Sequence, residues 1–227
     1  TVSKTIDCND LNLESIYNNK EFKGSLSPIL IKIISQILST EKYRHLNSYC
    51  DGESVHIYKN IDFGVALNLG SGLKVGVIRN SNKNKLEKIE NEFISLIDKY
   101  IDGKLLIEDI KDPTIILTDL TESKIEHFSP LISKNNSLMI GLSGEKKGIQ
   151  VLTISFDHRV TDGLEVSNFM NEIIKNLNET LFKVDEKSCF KCLKSIEEDN
   201  ELDGPGLISI FNNGKVKLIC KNCLTGW

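Results

Sequence analysis

Two groups of residues in this 227-residue chain have types and spacings that do chemistry. The first is the turn "FDHRVTDG", Phe156 to Gly163, where His158 follows an apolar run and Asp162-Gly163 comes four residues later. An imidazole is the side chain best suited to take a proton near neutral pH. Set in a turn between two regular elements, it reaches a cleft while its backbone is held on both sides. The second group is "CFKC" with "ICKNC": Cys189 and Cys192, then Cys220 and Cys223, two C-x-x-C pairs with 27 residues between them. Each pair offers two thiolates on one turn, and a tetrahedral zinc takes four soft ligands of this kind. Four cysteines leave no open coordination position, so the expected metal is a structural zinc; a redox dithiol pair and a catalytic zinc are the alternatives. With no secretory pattern at the start of the chain, metal ligation is expected before disulfides. Cys8 and Cys50 stand alone and read as small buried hydrophobes.

The elements that must position these groups follow from periodicity. "IQVLTISFD" has β-branched and aromatic residues at nearly every step, which predicts a buried strand ending at the histidine turn. After it, Leu164, Val166, Phe169, Ile173, Ile174 and Leu177 recur at helical spacing, predicting an amphipathic helix to about Asn178. "LSPILIKIISQILS" predicts a helix with Ser27 as N-cap and Pro28 in the first turn. "NIDFGVALNL" and "LKVGVIRN" read as a hairpin across "GSG". "NKLEKIENEFISLIDKYIDG" reads as a helix stopping at Gly103. "TVSKTID" predicts an edge strand, and "PTIILTDL" and "SLMIGLS" predict two more, the last turned back by "GEKKG". Helices interleaved with hairpins indicate an α+β sandwich, helices packed over a mixed sheet.

Composition narrows the function. Hydrophobic residues make up 40% of the chain, enough for a sizeable core. A net charge of −4 with no basic stretch argues against nucleic acid as a partner. No apolar run reaches membrane-spanning length and no signal peptide is recognisable, so a cytoplasmic protein is expected. The first residue, Thr1, is not a methionine, which points to processing or trimming. Beyond Ser188 the composition shifts to cysteine pairs and two short strands around Asn213-Gly214, a strong hairpin signal. We set a domain boundary near residue 186: a domain of 1–186 and a zinc-ribbon domain of 187–227. A segment of that size has too small a core to fold unaided, so metal would supply much of its stability.

The turn carries a resemblance. "SFDHRVTDG" resembles the H-x-x-x-D-G signature of the dihydrolipoamide acyltransferases of 2-oxo acid dehydrogenase complexes. Chloramphenicol acetyltransferases share that fold and a shorter form of the motif. "LSPILIKIISQIL", "IDFGVALNLGSGLKVGVIRN" and "FMNEIIKNL" are similar to further segments of the family, so the likeness runs from Val2 to Asn178. It implies the chloramphenicol acetyltransferase-like fold and a trimer or multiple of trimers. It also implies that the histidine takes the proton from a thiol, of coenzyme A or of dihydrolipoamide. A thiol with pKa near 8.5 is mostly protonated at neutral pH, so a base that makes the thiolate at the moment of attack is chemically required. That role falls on His158.

The oxyanion formed at the thioester needs a donor. The family supplies a hydroxyl from a strand to which "IILTDLT" aligns, which implies Thr118. Asp119 stands there in place of an asparagine and Thr121 in place of a glycine, and a carboxylate aimed at an oxyanion would be unfavourable. The resemblance implies that Asp162 holds the turn through an ion pair with an arginine. Arg159 is expected to brace the same turn, Asp157 to cap it or face solvent, and Gly163 to permit the close entry into the helix. Gly76 replaces a proline of the family's hairpin, and the segment around "GEKKG" is shortened. No segment resembles a lipoyl domain or a peripheral-subunit-binding domain, and the family's first catalytic segment is missing before Thr1. Any acyl-lipoyl donor is therefore expected on a separate lipoyl or acyl-carrier protein, with no lipoyl group attached to this chain.

These readings predict a freestanding acyltransferase that moves an acyl group between coenzyme A and a thiol, amine or hydroxyl acceptor. Two rivals remain: transfer to a small hydroxylated molecule in the manner of chloramphenicol acetyltransferase, and a non-catalytic scaffold or adaptor docking through the zinc ribbon.

Overall fold

A computed structural model of the chain describes residues 1–8, 25–70 and 72–181 in full, and the backbone of 207–212 and 215–220. The chain divides into two compact units, Thr1–Asn178 and Glu179–Trp227. In the first, a six-stranded mixed sheet runs in the order β1-β8-β7-β6-β4-β5. Its strands are β1 (Val2–Asp7), β4 (Phe63–Leu67), β5 (Lys74–Ile78), β6 (Ile115–Asp119), β7 (Leu138–Leu142) and β8 (Ile149–Phe156). The pairs β4–β6 and β6–β7 are parallel and the other three antiparallel. The helices are α1 (Ser27–Leu38), α2 (Leu86–Ile101), a single turn α3 (Ile107–Ile110) and α4 (Gly163–Leu181). Two three-residue strands, β2 (Ser48–Cys50) and β3 (Val55–Ile57), pair with each other apart from the main sheet.

The β8 run is buried on both faces: Leu152, Ile154 and Phe156 on one side, Thr153 and Ser155 on the other. The two hydroxyls there are hydrogen-bonded to the edge strand, Thr153 to Ser3 and Ser155 to Thr1, each at 3.2 Å. Their burial therefore leaves no polar group unmatched. α1 is apolar almost all round and correspondingly buried all round, from Ile29, Leu30 and Ile31 to Ile37 and Leu38. It packs against α2 and β6. At full burial each such side chain contributes about 1.5–3 kcal/mol relative to exposure.

The start of α1 differs from the sequence expectation. Leu26, not Ser27, occupies the N-cap position (φ −84°, ψ −13°), and no side chain caps the helix. Ser27 is the first helical residue, and its hydroxyl donates to Asp119 Oδ2 at the end of β6. A partner 92 residues away has taken the hydroxyl from its local role. Gly76, where the family has proline, pairs with Val65 on the neighbouring strand, and a Cβ there would lie 3.1 Å from Leu96 Cδ1. The absence of a side chain lets α2 close onto the sheet. Cys8 and Cys50 are free thiols and half-buried, not fully buried.

In the second unit, β9 (Leu207–Asn212) and β10 (Lys215–Cys220) form an antiparallel ladder with Asn212 opposite Lys215. This is the hairpin that Asn213-Gly214 signals. Cys189, Cys192 and Cys223, and the side chain of Cys220, lie outside the described residues.

Candidate active site

β8 delivers the chain to the histidine turn, and Asp157 shapes that turn with every hydrogen-bonding group it has. Its N–H donates to Ser137 O at 2.9 Å, and the Ser137 N–H in turn donates to Ser48 O at 2.8 Å, so the turn is anchored to β2. Its carbonyl accepts from Val160 N (3.0 Å) and Thr161 N (3.2 Å). Its carboxylate accepts from Arg159 N and Nε through Oδ1 (2.9 and 3.0 Å), and from Nη2 through Oδ2 (2.6 Å). This two-pronged fork is the strong form of a charge-assisted hydrogen bond. The Arg159 guanidinium holds the Asp157 carboxyl below the usual carboxylate range.

His158 sits on top of this turn, exposed. Its ring meets the ring of Phe156 edge-on, at 4.6 Å between centroids and 62° between planes. Among the described residues no group hydrogen-bonds the imidazole, which leaves both nitrogens available to a substrate.

Asp162 departs from the expected ion pair. Its Oδ1 accepts from Glu165 N at 2.9 Å and its carbonyl from Val166 N at 3.1 Å, which makes it the N-cap of α4. Among the described residues no arginine pairs with it, because Arg159 is committed to Asp157. Asp162 thus holds the turn by starting the helix. Thr161 supports it by donating to Glu165 Oε2 at 2.7 Å, and Glu165 Oε1 meets His45 Nε2 at 3.1 Å.

Thr118 lies half-buried on β6 beside Gly141 of β7, which in turn faces Thr153 of β8. The ring of Phe128 fills the space where a Gly141 Cβ would stand. Asp119 points to the opposite face of the sheet. There it accepts from Ser27 Oγ, from Thr121 N at 2.8 Å and from Thr121 Oγ1 at 2.5 Å. The carboxylate that threatened the oxyanion assignment is therefore turned away from Thr118 and fully occupied at the N-terminal end of α1, where negative charge is favourable. Thr121, standing for the family's glycine, also accepts from Gln150 Nε2 at 2.9 Å.

His158 and Thr118 are not together in one chain. Thr153 is in line with Thr118 two strands away, and His158 is five residues further along. β8 ends at Phe156, so His158 lies past the end of the sheet, whereas Thr118 lies within it. Sequence reasoning missed the Ser137 anchor, the Phe156 ring contact and the Ser27–Asp119 bond. Of these only the "FDH" adjacency carried a local signal.

A protein family described as 2-oxoacid dehydrogenases acyltransferase (catalytic domain) matches residues 1–182. A dihydrolipoyllysine-residue acetyltransferase component of the pyruvate dehydrogenase complex of Staphylococcus epidermidis is 31% identical over 69% of this chain and 39% of its own length. The chain spans about two fifths of the length of the curated relatives it matches. A probable dihydrolipoamide acetyltransferase from Listeria monocytogenes has a similar fold, with TM-score 0.69, 21% identity, and 80% of this chain and 85% of that one covered. A chloramphenicol acetyltransferase follows with TM-score 0.52 and 14% identity, covering 78% of this chain and 86% of that one. The expected α+β fold of the chloramphenicol acetyltransferase type is thereby borne out for the described sheet and helices.

Proposed function

Because the chain belongs to the catalytic-domain family of the 2-oxoacid dehydrogenase acyltransferases, we propose that it transfers an acyl group between coenzyme A and a thiol of the dihydrolipoyl type. The observation that carries this reading is the unencumbered imidazole of His158, fixed on a tied turn between β8 and α4. In the proposed reaction the imidazole takes the proton of the attacking thiol, and the thiolate adds to the thioester carbonyl. The resulting oxyanion accepts a hydrogen bond from Thr118 Oγ1. The tetrahedral intermediate collapses, the second thiolate leaves, and the imidazolium returns the proton to it. Atoms and charge balance, with no further reactant.

The position of His158 past the end of β8, five residues beyond the residue in line with Thr118 two strands away, supports a site shared between subunits of a trimer, in which the histidine of one chain works with the threonine of the next. Cyclic symmetry makes each such interface the same. The scaffold alternative loses its best support, since Asp119 is occupied by Ser27 and Thr121. A cytoplasmic location belongs to the same proposal; among the described residues no helix is long and apolar enough to cross a membrane. The test is direct: incubated with acetyl-coenzyme A and dihydrolipoamide, the protein releases free coenzyme A thiol at an enzyme-dependent rate. No release with acetyl, succinyl or branched-chain donors would overturn the reading.

For the C-terminal residues 187–227 we propose a zinc ribbon, with one structural zinc held by Cys189, Cys192, Cys220 and Cys223. The support is the donor set, four cysteines in two C-x-x-C pairs, and the β9–β10 ladder, which follows the first pair in sequence and ends at Cys220 of the second. Elemental analysis of protein purified without added metal is expected to find about one zinc per chain. Chelation is expected to abolish the protection of β9–β10 amides from exchange, because binding and folding of so small a unit are one event. Full amide protection in metal-free protein would refute the site.

A further inference from the structure

Around His158 the two charged neighbours in sequence are joined to each other rather than to the ring. We propose that Asp157 and Arg159 act together as positioning residues for His158: the carboxylate ties the turn that presents the imidazole, and the guanidinium cancels the carboxylate's charge beside it. The ring then stands between two charges that sum to zero. A lone carboxylate one residue away would favour the imidazolium, which cannot accept the thiol proton. A lone guanidinium would favour the neutral ring but leave the turn untied.

The geometry supports both halves. The fork uses both carboxylate oxygens and both the Nε and Nη2 of Arg159. The Asp157 side chain is 12% exposed and the Arg159 side chain 56%, so the compensating charge lies on the solvent side. The other charged groups around the turn have partners of their own. Just after β2, Asp51 adds negative charge near Arg159 and is held by His56 Nε2 at 2.5 Å. On α4, Asp162 caps the helix and Glu165 is held by His45 and Thr161.

The inference rests on His158 as the base, but its test does not need turnover. The chain has only four histidines, so the His158 ring resonance is assigned by its loss in His158→Gln. Its titration is followed by NMR in otherwise intact protein. In Arg159→Gln the midpoint is expected to rise by about half a pH unit, and in Asp157→Asn to fall by a similar amount. Opposite signs are the signature of charge compensation; removal of a merely structural bond has no reason to produce them. Arg159→Lys keeps the charge and removes the fork, so its midpoint stays near that of the unsubstituted protein while thioester exchange drops. The two Arg159 variants decide the matter if Asp157→Asn does not fold. The proposal is overturned if the midpoint stays put in Arg159→Gln, or if Arg159→Gln and Asp157→Asn shift it the same way. Opposite shifts in a protein that exchanges no thioester would uphold the pair and sink the acyl-transfer reading; exchange without the shifts would do the reverse.

Discussion

His158→Ala is expected to lower thioester exchange by about 10²–10⁴, the usual cost of removing a general base. The protein should remain folded, because His158 contributes little to its own turn. The hydrogen bonds there belong to Asp157, Arg159, Val160, Thr161 and Asp162. The imidazole is exposed, and the substitution removes a single edge-on ring packing against Phe156, about 0.5–1.5 kcal/mol at most. Measuring kcat/KM beside the thermal midpoint separates the two effects. A folded variant with undiminished exchange would mean that another group takes the thiol proton.

Thr118→Ala is expected to cost about 10²–10³ in kcat, the range for one missing oxyanion donor. KM should change far less, since the bond strengthens only as charge develops on the oxygen. Thr118→Ser retains the hydroxyl and should recover most of the rate. The strand itself is safe: Thr118 is only half-buried on a sheet whose neighbouring positions, Leu117 and Ile140, carry the core. If Thr118→Ala loses less than about tenfold, the donor is another group and the oxyanion assignment falls.

The strand, turn and helix around His158 were legible because two different periodicities meet there. An unbroken β run stops at Phe156 and a helical stripe starts at Leu164, which leaves the histidine nowhere but the turn. The α1 helix was equally clear, but its cap was not. Ser27 has the right type for an N-cap, and only the fold reveals that Asp119 competes for its hydroxyl. For the same reason Asp119 looked hostile to Thr118 in the sequence and proves harmless in the structure. The arginine partner implied for Asp162 failed on local competition: Arg159 lies two residues from Asp157 and bonds that carboxylate, leaving Asp162 to bond the amide three residues ahead. The β2–β3 pair escaped notice because three-residue strands of mixed polarity carry no periodic signal. The separation of His158 from Thr118 depends on the strand order β8-β7-β6 and its register, which no single segment encodes.

The central claim is that a working site takes its histidine from one chain and its threonine from the next. It is tested by co-expressing His158→Ala with Thr118→Ala, each nearly inactive alone, and purifying the mixed trimers. Random assembly joins an intact histidine to an intact threonine at about a quarter of the interfaces, so about that fraction of the unsubstituted activity should return. Mixed trimers as inactive as their parents, with mixing demonstrated by differential tags, would contradict the shared site.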